Sequence, residues 1–371
     1  MYDVKKNAQK ITKKLQKGFF AYIILQWGRW SKQKKWILAL VLLGVTMFKY
    51  ILELPHMVTL QGETVCTSYR IQYFDSRWGR NHQEEIEALL VRLYQALSTS
   101  LPDSELSRFN EHDCSDFYFE SPFLYPVFAK SKEIFRNTAG AFDPTIFPLV
   151  HDWNDRLTDT TDLDSLQRNP RCAYVGLDYI VANTQRLKKL KEGVKLDFGG
   201  LFKGYVADRI ADLLRTYGIK HMWITLENEA VAYGSHVWHT DIHPHVTSLV
   251  DTELQIAIAL VNQAVAISNR QERSSPHHHC IIDPATGNPA QHTLLAAVVV
   301  SDSGMVADAY ATAMMVRGFA FAQELLSQQE DLAAFLIYEN EQGVPVFYTS
   351  PNLCMKQDGH TITLRHAKRS S

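Results

Sequence analysis

The sequence predicts an α+β domain that follows an N-terminal membrane-spanning helix. From about residue 59 onwards, strand-like and helix-like segments alternate irregularly. This irregularity favours mixed or antiparallel sheets with helices over a doubly wound α/β fold. A basic and then apolar stretch precedes these segments. The 371 residues suffice for one large domain or two smaller ones, and the composition, 46% hydrophobic and 21% charged, is ordinary for a globular enzyme.

The N-terminal stretch has the charge pattern of a membrane anchor. Residues 1–35 are rich in lysine and contain a single acid, Asp3, and the run WILALVLLGVTMF that follows carries no charge. Extension to residue 54, with Lys49 reaching outward, gives the length of a span. The positive-inside rule then predicts a single-pass inner-membrane protein with a cytoplasmic N-terminus. A cleaved signal peptide and a buried core helix are the alternatives. The predicted organisation is a basic segment over 1–35, a transmembrane anchor over 36–54, and one extracytoplasmic (periplasmic) domain over 59–371.

Charge and cysteine content exclude other classes. The net charge of −2 does not suggest a nucleic-acid-binding protein. The cysteines are odd in number, scattered, and without a C-x-x-C pair, so they indicate neither a zinc site nor a disulfide scaffold, although one or two disulfides in an oxidising compartment stay open. They are Cys66, Cys114, Cys172, Cys280 and Cys354.

Within the domain, apolar periodicity predicts the elements in chain order. Helical spacing predicts helices over residues 82–98, 121–140 and 201–218, and over VADAYATAMMVRG and FAQELLSQQ. Alternating or continuous apolar runs predict strands over residues 69–74, 221–226, 254–261 and 294–301. A hairpin with a following strand is predicted in AYVGLDYIVAN and TQRLKKLKEGVKLDF, and a late hairpin in AAFLIYEN and GVPVFYTS.

The helix VADAYATAMM places two oxygen-bearing side chains on one face. Asp308 and Thr312 are four residues apart, so their side chains lie one turn apart. A carboxylate and a hydroxyl are hard donors that suit Mg²⁺. The alternative is an Asp near a helix N-terminus and a Thr that bonds back to its own helix.

LDFGGLFKGYVAD is the strongest local signal for a bound phosphate. A predicted strand ends at Asp197, two glycines turn the chain, and a helix carrying Lys203 begins. A helix N-terminus binds phosphate, glycines allow a close approach, and the lysine adds a point charge. A Gly-Gly pair can also be only a turn.

Together with LSTSLPDSELSRFN, GAFDPTIFPLV and IIDPATGNP, and in this order, these two motifs resemble the FAD:protein FMN transferase (ApbE-type) family. The resemblance covers about residues 62–318. It implies an exported or membrane-facing enzyme that binds FAD with Mg²⁺ and passes FMN to a Thr or Ser of an acceptor protein, leaving AMP. Some members of the family instead hydrolyse FAD.

The resemblance also implies residue roles. The backbone carbonyl of Gly200 joins Asp308 and Thr312 as ligands of Mg²⁺, and Lys203 contacts the FAD phosphates. Cys280 stands where the family has a histidine that helps to activate the acceptor. Asp283 is the second implied catalytic residue, and it organises the neighbouring loop. The remaining residues implied around FAD are Val65, Ser100, Asp143 and Ile281.

This sequence departs from the family pattern around the expected site. Ser100 replaces an aromatic residue, Glu227-Asn228 replaces a Gly-Gly pair, and Cys280 replaces the histidine. The family's T-M-G-T and S-G-D read TVCT and SNR here. FMN transfer, FAD hydrolysis by a pyrophosphatase, and flavin binding without catalysis therefore remain open.

Overall fold

The computed structural model describes nine segments of the chain. They are residues 31–53, 55–63, 68–75, 79–158, 169–227, 229–242, 255–270, 281–358 and 361–366. The chain divides into two compact units, of which one holds the first helix and residues 75–79, and the other holds residues 57–74 and the chain from residue 80 onwards.

The helices and strands follow one another along the described chain as α1 (Lys32–Glu53), β1 (His56–Glu63), β2 (Ser68–Asp75), α2 (Gln83–Leu97), α3 (Glu105–Glu111), β3 (Asp116–Tyr118), α4 (Leu124–Asn137), α5 (Phe147–Thr158), β4 (Ile180–Ala182), β5 (Arg186–Lys189), α6 (Gly199–Thr216), β6 (Met222–Leu226), β7 (Glu229–Tyr233), β8 (Trp238–Ile242), β9 (Gln255–Leu260), β10 (Gln263–Asn269), β11 (Leu294–Ser301), α7 (Gly304–Arg317), α8 (Phe319–Gln328), β12 (Ala333–Glu339), β13 (Pro345–Thr349), β14 (Leu353–Asp358) and β15 (Thr361–His366). Two short 3₁₀ helices, Pro170–Tyr174 and Leu177–Tyr179, precede β4.

Helix α1 covers the predicted anchor. Several of its apolar side chains are more than half exposed, among them Trp36, Leu40 and Leu43. The hydroxyl of Thr46 donates to the carbonyl oxygens of Leu42 and Leu43, at 2.9 and 2.8 Å. No helix in the described parts of the chain combines the length and the hydropathy of a membrane span. The predicted transmembrane anchor is therefore not confirmed.

An eight-stranded sheet forms the centre of the second unit, in the order β1-β2-β6-β7-β10-β11-β12-β13. Every neighbouring pair from β2 to β13 is antiparallel. The predicted α+β class with antiparallel sheets is confirmed.

Strand β11 shows why the central strands read as continuous apolar runs. Its residues are all buried, because alternate side chains face two different cores. Ala297 and Val299 join the core that contains α6 and α7, whereas Val298 and Val300 join a core shared with β8, β9 and β15. A strand covered on both faces loses the polar alternation of a half-exposed strand.

Two smaller sheets complete the unit. One has the order β14-β15-β9-β8, in which β15 and β9 are parallel although they are far apart in sequence. The other, β3-β5-β4, contains the predicted hairpin, in which Ile180 pairs with Lys189.

The predicted strand ending at Asp197 is wrong. Residues 194–198 belong to no strand. The backbone of Leu196 instead forms two hydrogen bonds with the side-chain amide of Asn110, at 2.7 and 2.8 Å. The amide N–H of Asp197 donates to the Pro144 carbonyl at 2.7 Å. An extended segment whose backbone hydrogen bonds go to a side chain can have the apolar pattern of a strand without pairing with a neighbouring strand.

Candidate functional site

The site is built where helices α6 and α7 cross at two glycines. A Cβ atom on Gly204 would lie only 2.1 Å from the carbonyl oxygen of Gly304, and one on Gly304 would lie 2.6 Å from the carbonyl oxygen of Gly204. Any side chain at these positions would push the helices apart. The glycines therefore allow the start of α7 to touch the second turn of α6.

Asp208 fixes the start of α7 against α6. Its carboxylate accepts hydrogen bonds from the Ser303 hydroxyl at 2.7 Å and from the amides of Gly304 and Met305 at 2.8 and 3.0 Å. These amides belong to the helix's first turn, which has no partners inside the helix. Burial raises the pKa of Asp208, although these three hydrogen bonds oppose the shift.

Three oxygen-bearing groups that could bind a cation lie next to this crossing. The Thr312 hydroxyl donates to the Gly200 carbonyl oxygen at 3.2 Å, and the Asp308 carboxylate accepts from the Gly204 amide, also at 3.2 Å. Thr312 thus bonds across to α6 rather than back to its own helix, and Ser303 is the N-cap of α7. The Thr312 bond disagrees with the alternative in which this threonine bonds back to its own helix.

The donor set suits a hard divalent cation. Carbonyl, hydroxyl and carboxylate oxygens are the ligands that Mg²⁺ takes in proteins. Burial raises the pKa of Asp308 to about 6, although Lys203 and the Gly204 amide oppose the shift. A cation would compensate the desolvated carboxylate. Among the described residues, no three His, Cys, Asp or Glu side chains form a metal-binding group. The candidate cation ligands are the Asp308 carboxylate, the Thr312 hydroxyl and the Gly200 carbonyl.

Lys203 interacts electrostatically with Asp308 and is held by two further carboxylates. Its ammonium nitrogen is 3.2 Å from Glu227 and 3.3 Å from Glu229. Burial alone would lower the pKa of Lys203, but the charges of Glu229, Asp308 and Glu227 outweigh burial and raise it. The lysine is therefore a stable cation in this structure.

Glu229 is a buried acid of this cluster, with 2% of its surface exposed. Burial and the neighbouring Asp308 raise its pKa well above the ordinary value, and Lys203 opposes that shift. Sequence reasoning missed Glu229 and Asp208, and noted Glu227 only as a departure. A lone acid at the head of the apolar strand EAVAY was the available signal for Glu229.

The GAFDP turn reaches the same place through Phe142. A Cβ atom on Gly200 would lie 3.3 Å from the Phe142 ring and 3.1 Å from the Thr312 hydroxyl. Asp143 itself is buried and accepts hydrogen bonds from the amide and hydroxyl of Thr145. Burial raises the pKa of Asp143 despite these bonds. The carboxylate therefore stabilises its own turn.

The LSTSLPDSELSRFN segment forms a turn closed by serines. The Ser98 hydroxyl accepts from the amides of Ser100 and Leu101 at 3.1 and 3.3 Å, and the Ser98 carbonyl accepts from the Ser104 hydroxyl. Ser100 is exposed on this turn. The segment connects to the LDFGGLFKG motif through Asn110, whose side-chain amide bonds the backbone of Leu196.

Asp283 and Ile281 lie in a compact loop. The Asp283 carboxylate accepts from the Ala285 amide at 2.9 Å, and its carbonyl accepts from Thr286 and Gly287. Asp283 therefore organises its own loop. Ile281 packs against the main core. The predicted site residues Val65 and Cys280 lie outside the described residues.

Comparison with known proteins agrees with this arrangement. The model of the ApbE family matches residues 65–336. The FAD:protein FMN transferase of Haemophilus influenzae is 28% identical over 306 residues, which cover 77% of this chain and 88% of the relative. The enzyme of the same name from Vibrio cholerae is 30% identical over 275 residues, covering 70% of this chain and 81% of the relative.

Solved structures show the same fold. The flavin transferase ApbE from Vibrio cholerae superposes with a TM-score of 0.69 at 27% identity, covering 80% of this chain and 98% of that one. The apo form of the flavinyl transferase ApbE from Pseudomonas stutzeri has a TM-score of 0.69 at 24% identity, covering 80% and 95%. At that identity the second likeness concerns the fold alone.

Proposed function

The chain belongs to the ApbE family, a family of transferases, and we propose that it transfers FMN from FAD to a Thr or Ser hydroxyl of an acceptor protein, releasing AMP. One observation carries the proposal. The Thr312 hydroxyl bonds the Gly200 carbonyl, and the Asp308 carboxylate, one turn away on the same helix, interacts electrostatically with the ammonium group of Lys203. A cation site and a positive side chain together can neutralise the charge of a pyrophosphate during phosphoryl transfer.

The described residues divide the work of binding. Asp308, Thr312 and the Gly200 carbonyl would hold Mg²⁺. When bound, this cation would neutralise negative charge on the phosphates. Lys203 would bind a phosphate oxygen as a point charge. Asp208 and the glycine crossing keep α7 on α6 and so keep the ligands in place.

The proposed step is a displacement at phosphorus. The acceptor oxygen forms a bond to the FMN phosphorus, the bond from that phosphorus to the bridging oxygen breaks, and AMP leaves with that oxygen. The proton of the acceptor hydroxyl must pass to a base. Cys280, or one of the neighbouring histidines at 277–279, is our candidate for that base, and all of them lie outside the described residues.

The test uses the full chain with FAD, MgCl₂ and a Thr-containing acceptor peptide. AMP is quantified by chromatography and the peptide by its mass, with Asp308→Ala as the inactive variant. We expect AMP together with an FMN adduct, both absent in Asp308→Ala. AMP without an adduct, in the presence of several acceptor peptides, would indicate an FAD pyrophosphatase. FAD binding without either product would indicate a non-catalytic flavin-binding protein.

Separately, we propose that α1 attaches the chain to the inner membrane, with the FAD-binding domain on the extracytoplasmic side. Two observations support this. The exposed side chains of α1 include Trp36, Leu40, Val41 and Leu43. The lysine-rich residues 1–35 precede the apolar run, as the positive-inside rule requires.

A further inference from the structure

Glu227 holds the lysine that is proposed to bind the phosphates of FAD. Its carboxylate is 3.2 Å from the Lys203 ammonium, which also lies 3.3 Å from Glu229. The two acids differ in freedom. The Glu229 side chain is 3% exposed, whereas that of Glu227 is 43% exposed. The ion pair with Glu227 is therefore the one that can open without unpacking the core.

The backbone fixes Glu227 at this position. It follows β6 directly, and the next described residue, Glu229, begins β7 and pairs with Leu226. Glu227 has a φ of +50°, a left-handed conformation that glycine adopts without strain and other residues adopt rarely. Glycine would satisfy the geometry of this turn, so the charged side chain of Glu227 is not required for it.

Glu227 also borders an open cleft. The cleft has a volume of about 480 Å³ and is lined by the ends of β1, β2 and β6, with Arg70 and Thr225 among its walls. Glu227 is therefore both a wall of this cleft and an ion-pair partner of Lys203. Its carboxylate repels an anionic ligand that approaches Lys203.

We propose that Glu227 competes with the phosphates of FAD for Lys203 and thereby sets the affinity of the site for its substrate. The inference rests on the function proposed above and adds a residue that determines affinity. FAD binds when its phosphate replaces the Glu227 carboxylate at the Lys203 ammonium. Glu229 remains in place as the buried partner of the lysine.

Two variants separate charge from shape. Glu227→Gln removes the charge and keeps the size of the side chain, and Glu227→Gly also removes the side chain from the cleft. The matched control is Glu133→Gln, since Glu133 pairs with Lys130 at 2.8 Å on the surface of α4. The dissociation constant of FAD is measured by calorimetry on the full chain with MgCl₂. We expect Glu227→Gln to lower this dissociation constant roughly two- to fivefold, as the loss of an exposed charge pair would allow.

The salt dependence provides a second signature. The gain in FAD affinity of Glu227→Gln over the parent should shrink as NaCl rises from 0.05 to 0.5 M, because salt screens the competition between exposed charges. Glu133→Gln should match the parent at both concentrations. A gain that is independent of salt would overturn the charge competition.

A third measurement needs no FAD. Acylation of lysines by acetic anhydride, followed by mass spectrometry, reports how accessible and how basic each amine is. Lys203 should be modified faster in Glu227→Gln than in the parent, with Lys191 as the internal reference. An unchanged rate at Lys203 would show that Glu227 does not hold it.

The outcomes distinguish this inference from the proposed function. AMP release by the parent with an unchanged FAD affinity in both Glu227 variants would overturn the inference and leave the function standing. FAD binding by the variants but not by the parent, without AMP from any of them, would support the inference and overturn the function. Absence of binding in all three proteins would overturn both.

Discussion

Asp308 combines burial, a single described hydrogen bond from the Gly204 amide, and a position facing Lys203. Asp308→Asn keeps the shape and the acceptor oxygen but removes the charge that a cation requires. We expect AMP release from FAD to fall by at least about 10²-fold, the scale on which loss of one group that stabilises transition-state charge acts. The measurement is the initial rate of AMP formation across a titration of MgCl₂.

The matched control for this variant is Asp302→Asn, because Asp302 is exposed just before α7. Its rate should equal that of the parent. If Asp308→Asn kept the parent's rate and the parent's Mg²⁺ dependence, the oxygen site would not be the metal site.

A second prediction at the residue scale concerns Lys189 and the pH dependence of the unfolding free energy. Its ammonium is buried and donates to the carbonyls of Asn110 and His112 at 2.8 and 2.9 Å. Burial, with a smaller contribution from Lys195, lowers the pKa of Lys189 to about 8. The unfolded chain therefore binds more protons between pH 8 and 10.5, so this group makes the folded state more stable as pH rises through that window.

The measurement compares unfolding free energies of the parent and Lys189→Met in urea at pH 7.5 and pH 10. The parent should gain about 1 to 3 kcal/mol relative to the variant. Lys188→Met, at an exposed position of the same strand, should show no such change. An equal pH dependence in the parent and Lys189→Met would contradict the lowered pKa.

At the scale of elements, the crossing of α6 and α7 determines the site. Gly204→Ala would place a Cβ atom 2.1 Å from the Gly304 carbonyl, so α7 must shift and carry Asp308 and Thr312 away from Gly200. We expect a loss of about 1 to 3 kcal/mol in unfolding free energy, as for other overpacked positions. Stabilisation of the protein by MgCl₂ with FAD should be lost as well, which thermal unfolding measures.

Gly343→Ala is the control for this substitution. Gly343 has a φ of +73°, and a Cβ atom there would meet nothing within 4 Å. This variant should lose about 1 kcal/mol through backbone strain and keep its stabilisation by ligand. Equal ligand stabilisation in Gly204→Ala would show that the crossing does not position the site.

The sequence predicted those elements whose pattern depends on local spacing. The helix expected over 201–218 is α6, and the strand expected over 294–301 is β11. Elements whose partners are distant were not predictable in this way. The segment before α6 is satisfied by Asn110, 86 residues earlier, and β9 pairs in parallel with β15 near the end of the chain. The same limit applies to the site, where spacing predicted the pair Asp308 and Thr312 but gave no sign that Glu229 faces Lys203.

At the scale of the whole molecule, the family match and the first helix occupy different parts of the chain. The match begins at residue 65, after α1 has ended. The residues proposed to bind FAD and Mg²⁺ within the described chain all follow that point. Attachment to a membrane and turnover of FAD should therefore be separable by substitution.

Charges placed on the exposed face of α1 test this separation. Leu40 and Leu43 are 63% and 59% exposed there, and Val344, in the second unit, is 54% exposed. In the full chain, Leu40→Glu with Leu43→Glu should move the protein from the membrane pellet to the supernatant, because each charge costs about 3 kcal/mol at the centre of a bilayer. AMP release from FAD should be unchanged. Val344→Glu should stay in the pellet with the parent. A parent protein that remains in the supernatant after expression at its natural level would contradict attachment through α1, and loss of AMP release in the double variant would contradict the separation of the two parts.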